Sequence, residues 1–155
     1  MSKGDRMDYA IQKAVELGVA EIQLLTSERC EMRLKYDRDQ KKIDHWQGIA
    51  IAACEQCGLN IVPQIRAPQS LQDWLKTDLP ESRLVLAPNK ENLNPLEDIH
   101  NNLVLLIGPE GGLSEQEIAD ANGFGFKNWC IGDRVLRTET APVVALSILN
   151  HIIVK

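Results

Sequence analysis

The feature that most restricts the fold is a pair of apolar runs in the last third of the chain, each broken by glycine and followed by a helix start. Leu103 to Ile107 has the length and branching of a buried strand. Gly108, Pro109, Gly111 and Gly112 interrupt it, and Ser114 opens a helix. Ser114 and Glu117 have capping-box spacing: the hydroxyl can accept from the third-position N–H while the carboxylate reaches back to the cap N–H. The pattern then repeats. Lys127 to Ile131 reads as a strand, Gly132 breaks it, and the polar loop Asp133–Thr140 leads into a helix from Ala141. Loops at the same ends of neighbouring strands converge on one crevice, and glycines there let the backbone approach a ligand closely. Taken alone, Gly108–Gly112 is a weak signal and reads first as an ordinary strand-to-helix turn.

The crevice is not of the phosphate-binding kind. The first turn lacks the Lys-Ser/Thr of a P-loop and the Gly-x-Gly-x-x-Gly of a dinucleotide site. Gly123-Phe124-Gly125 follows a helix rather than a strand, so it reads as a helix stop. With 155 residues, 44% of them hydrophobic, the chain suits one globular domain with a real core. No apolar run approaches the length of a membrane span and the first residues do not read as a signal peptide, so a cytoplasmic protein without a membrane partner is expected.

Upstream, a helix from Gly4 or Asp5 to Leu17 presents Met7, Ala10, Ile11, Ala14 and Val15, stops at Gly18, and carries Lys13 and Glu16 as a solvated pair. Ala20–Leu25 reads as a strand, Asp39–Cys57 as a helix, and Ile61–Ile65 as a short edge strand interrupted by Pro63. Leu71–Lys76 is a short helix and Arg83–Ala87 a buried strand ending at Pro88. Strands alternating with helices give an α/β domain with a mostly parallel sheet flanked by helices. Cys54 and Cys57 close a helix, the end that does not stabilise thiolate, and no further ligands stand at zinc spacing. They read as buried, reduced thiols, with no metal site. The final helix is apolar nearly all round, so it is expected to bury one side in the domain and another against a second copy, as a homodimer.

The combination of Gly108–Gly112 with Leu136-Arg137-Thr138-Glu139-Thr140-Ala141, preceded by Gln12–Val19 and Ala53–Gly58, resembles the RsmE family of 16S rRNA (uracil-N3) methyltransferases in the SPOUT superfamily. The resemblance covers nearly the whole chain. It implies a deep C-terminal trefoil knot and S-adenosylmethionine (SAM) as cofactor. It also implies an N-terminal PUA-like RNA-binding domain that this chain does not include, so 16S rRNA in the small ribosomal subunit is expected to bind weakly here. The implied cofactor cage comprises Leu86, Pro88, Ile107, Gly108, Pro109, Glu110, Gly111, Gly112, Ile131, Gly132, Val135, Leu136 and Thr140. One departure is Leu59, where the family carries Arg.

Uracil N3 holds a weakly acidic proton, so methylation there needs a carboxylate base, a guanidinium that stabilises the anion, or both. Arg137, Glu139 and Arg29 are the catalytic candidates, with Glu110 and Glu55 behind them. Each has a structural alternative as an ion pair or helix cap. The net charge of −5 runs against a phosphate-gripping surface. Two other readings therefore stand: a catalytically weak or inactive RNA-binding or assembly module on the same fold, and a nucleotide-binding oxidoreductase domain.

Overall fold

The computed structural model describes residues 4–28, 36–58, 61–87, 96, 99, 102–109, 112–131, 137 and 139–153. In chain order these form α1 (Gly4–Glu16), β1 (Glu21–Thr26), α2 (Tyr36–Cys57), β2 (Gln64–Ser70), α3 (Leu71–Leu75), β3 (Ser82–Leu86), β4 (Leu103–Leu106), α4 (Glu115–Gly123), β5 (Lys127–Trp129) and α5 (Ala141–Ile153). Every described strand pair is parallel, in two ladders: β1 with β2, and the order β4-β3-β5. The α/β class with a parallel sheet and flanking helices is thus as expected. The threading of the trefoil knot would run through residues 132–136, outside the described residues.

The first half is built by α1 and α2 packing on β1 and β2. Met7, Ile11 and Val15 recur at helical spacing and meet Trp46, Ala50, Ala53 and Cys54 of α2, with Leu24 and Ile65 beneath. Asp8 joins the helices, accepting from Trp46 Nε1 at 3.1 Å and lying 3.0 Å from His45 Nε2. The end of α1 is a Schellman stop: Val19 N donates to Ala14 O and Gly18 N to Val15 O. Lys13 and Glu16 pair at 3.1 Å on the surface, as expected.

β2 differs from the sequence expectation. It begins at Gln64, after Pro63, and runs through Pro68 to Ser70. The cause lies on α2. Gln47 Nε2 donates to Pro63 O at 3.0 Å and its Oε1 accepts from Ile65 N at 3.0 Å, so a side chain satisfies the backbone where the ladder starts. Pro68, which has no N–H to donate, falls where the register with β1 shifts between Gln23 and Leu25. Gln23 Nε2 bonds Ala67 O there at 2.8 Å.

The cysteine reading needs one correction. Cys54 is buried, but Cys57 is exposed, because three residues on it turns to solvent at the helix end. Burial, and then the neighbouring Cys57, push the Cys54 thiol pKa up.

The second half is the three-stranded sheet. Leu71, Trp74 and Leu75 of α3 pack with Val85, Leu106, Ala121 and Phe126, and Leu25 of β1 and Leu113 join the same cluster. On the other side Leu84 and Trp129 meet Ala145 and Leu149 of α5. Within α5, Ala141, Pro142, Ala145 and Leu149 are buried, whereas Val143, Val144, Leu146, Ile148 and Ile152 are half-buried. Asn150 Nδ2 donates to Leu17 O at 2.8 Å, tying α5 to the end of α1. No described helix is long and apolar enough to cross a membrane.

Candidate active site

Register places the strand exits together. Val85 of β3 pairs with Leu106 of β4, and Leu86 of β3 pairs with Trp129 of β5. Ala87 N extends the second ladder by donating to Trp129 O at 3.1 Å. Because all three strands are parallel, Ala87, Ile107-Gly108-Pro109 and Cys130-Ile131 leave the sheet along one edge. The sequence expectation had β4 and β5 as neighbours. They instead flank β3, so the exit of β3 lies between those of β4 and β5. The strand order reverses at β3, and the carboxyl ends of strands at such a reversal form the crevice where open α/β sheets bind ligands.

The turn after β4 is tightly specified. Gly112 N donates to Pro109 O at 2.8 Å, and Gly112 has a φ of +76°, a conformation other residues rarely adopt. A Cβ on Gly108 would lie 2.9 Å from Leu113 Cγ and 3.0 Å from Leu113 N, so only glycine lets this turn close. The capping box forms as expected: Glu117 N donates to Ser114 Oγ at 3.1 Å, and Ser114 N to Glu117 Oε1 at 2.9 Å. Glu117 has a further bond that its local spacing does not foretell. Its Oε2 accepts from Glu28 N, beyond the end of β1, at 3.2 Å.

The approach to α5 is built differently. Arg137 O accepts from both Thr140 N and Ala141 N at 2.9 Å, which starts the helix. Pro142 in its first turn forfeits no helical hydrogen bond. The Arg137 guanidinium lies 3.9 Å from Glu139 Oε1, too far for a hydrogen bond, with 78% of its side chain exposed against 19% for Glu139. Glu139 Oε2 is buried and has no hydrogen-bond partner among the described residues, and the same holds for Ser27 Oγ beside Glu28. Leaving a buried oxygen without a donor costs about 1–3 kcal/mol, so these two atoms stand out from the rest of the described structure.

Among the cofactor candidates, Leu86, Ile107, Gly108, Gly112, Ile131 and Thr140 are half-buried and Pro109 is buried. Pro88, Glu110, Gly111, Gly132, Val135 and Leu136 lie outside the described residues, as do Arg29 and Thr138. Glu55 is exposed on α2, which packs on α1 and β2. The sheet therefore brings Leu86, the Ile107–Gly112 turn and Ile131 to one edge. The described part of that edge is aliphatic and glycine-rich with no lysine, which suits an apolar ring better than a phosphate.

A family model for an RNA methyltransferase domain matches residues 1–150. The chain belongs to this family. A ribosomal RNA small subunit methyltransferase E from Buchnera aphidicola is 41% identical over 152 residues, which is 97% of this chain and 62% of that protein. The chain thus spans less than two thirds of such a relative's length. A Neisseria gonorrhoeae ribosomal RNA small subunit methyltransferase E, solved bound to S-adenosyl methionine, superposes with a TM-score of 0.87 at 39% identity, over 99% of this chain and 63% of that one. A Legionella pneumophila protein solved with bound SAM gives 0.93 at 40% identity, over 98% and 63%.

Proposed function

We propose that this chain carries the catalytic site of a SAM-dependent methyltransferase acting on N3 of a uridine in 16S rRNA. The observation that carries the reading is the shared edge: the glycine-built turn after β4, the β3 exit and Ile131 after β5 leave the sheet together where the strand order reverses, in a chain of this family. The residues present fit the cofactor. Leu86, Ile107 and Ile131 offer partly exposed aliphatic surface for adenine, the Gly108–Gly112 turn offers close-approaching backbone, and Glu139 Oε2 lacks a partner among the described residues. Pro88, Glu110, Gly132, Val135, Leu136 and Thr140 complete the proposed cage.

When bound, SAM supplies an electrophilic methyl on a sulfonium. The remaining work falls to the chain. Glu139, with an oxygen free to accept, takes the N3 proton. The exposed Arg137 guanidinium stabilises the negative charge left on the uracil carbonyls, with Arg29 assisting. N3, deprotonated by Glu139 and flanked by Arg137, would then be the nucleophile toward the methyl that SAM would supply, with sulfur as the leaving group. The target base must be out of its stack to reach the site.

The partners proposed are the small ribosomal subunit, held weakly by this acidic chain, and a second copy of the chain through the half-buried residues of α5, in the cytoplasm. Calorimetric titration tests the cofactor. SAM should bind one per chain and NAD should not; NAD binding, or no SAM binding, overturns the proposal. Nucleoside mass spectrometry after incubation with small subunits should show 3-methyluridine. SAM binding without any methyl transfer would favour the inactive-module reading. A monomeric mass by light scattering at micromolar concentration would remove the dimer.

A further inference from the structure

We propose that Glu117 is a positioning residue that couples the turn after β4 to the exit of β1. Its side chain is 2% exposed and both its oxygens are used, Oε1 by Ser114 N and Oε2 by Glu28 N. A capping box needs only one carboxylate oxygen. The second here grips a backbone N–H that lies 89 residues away in sequence. The two segments also share an apolar wall, since Leu25 of β1 and Leu113 of the turn pack into one cluster with Val85 and Leu106. A buried carboxylate bonded at both oxygens cannot swing without stranding a donor. A shift in Gly108–Ser114 is therefore passed to Ser27 and Glu28, the residues before Arg29. Ser27 Oγ, buried and unpartnered, lies on the segment so held.

The inference rests on the reading that the Gly108–Gly112 turn holds SAM. The coupling makes the β1 exit respond to the cofactor, so Ser27 and Glu28 are held more firmly when the methyl donor is present.

The test is amide exchange at Glu28, read by NMR on the full chain with and without SAM, beside calorimetric SAM affinity. In the unaltered protein SAM should slow Glu28 exchange about tenfold, within the usual range for coupled sites. Ser114→Ala weakens the same helix start but leaves the Oε2 contact, and should keep the slowing. Glu117→Ala removes both acceptors and should lose it while still binding SAM. Should Glu117→Ala not fold, Glu117→Gln replaces it: its amide has one acceptor for two N–H groups, so the slowing should fall. Full slowing in the Glu117 variants, or equal loss in Ser114→Ala, overturns the coupling. Absence of SAM binding to the unaltered chain instead overturns the proposed function. The link is then read without ligand, as faster Glu28 exchange in Glu117→Ala than in Ser114→Ala; equal rates would sink it.

Discussion

Two glutamates, Glu117 and Glu139, stand at the two helix starts that follow the glycine-broken turns, and they are treated in opposite ways. Glu117 is almost fully buried and both its oxygens accept backbone N–H groups. Glu139 is partly exposed, its Oε2 has no partner among the described residues, and its neighbour Arg137 reaches into solvent. A satisfied buried carboxylate is scaffold, because moving it strands donors. One with an unpaired oxygen, beside a guanidinium that is mostly in solvent, is poised for something that arrives. The contrast separates the turn that sets geometry from the turn proposed to do chemistry.

The sharpest way to break that contrast is Arg137→Ala. Methyl transfer should fall about 10²–10³-fold, the usual loss when one charge-stabilising donor is removed. The thermal midpoint should not move, since so exposed a group contributes little to stability. Unchanged turnover would take Arg137 out of the mechanism. Glu139→Gln comes next: turnover should drop about 10²-fold, as for loss of a general base. Stability should hold or rise, because a buried carboxylate without a partner is replaced by a neutral amide. A large drop in denaturant midpoint would instead place Glu139 with Glu117 among the scaffold.

Gly108→Ala probes the other turn. Its Cβ meets Leu113, and over-packing of this kind costs about 1–3 kcal/mol, which chemical denaturation would measure. SAM affinity should weaken with it; unaltered stability would show that the turn has room. The smallest effect lies in the core of the first half, at Cys54. Burial raises its thiol pKa in the folded state, so its contribution to stability is complete below the unfolded thiol pKa. That contribution is lost as pH rises through the folded value. Cys54→Ala should therefore flatten the alkaline limb of a stability–pH curve. Maleimide should label exposed Cys57 before Cys54, and the reverse order would contradict the burial.

Much was legible because its physics is local. The capping box at Ser114 and Glu117, the stop at Gly18 and the alternation of strands and helices all rest on groups within a few residues of one another. The start of β2 was not, because it depends on Gln47 of α2 bonding Pro63 and Ile65. The exposure of Cys57 beside buried Cys54 likewise follows from where α2 ends against its neighbours.

The sequence alone determined which turns are glycine-built, which helices begin where, and the motif that carries family membership, since each is written in short-range chemistry. Tertiary structure decided that β3 stands between β4 and β5, that Glu117 reaches Glu28, and that Glu139 has an unpaired oxygen among the described residues. Such pairings join residues remote in the chain. No local preference encodes them; they arise only when the sheet is assembled and its edges are packed.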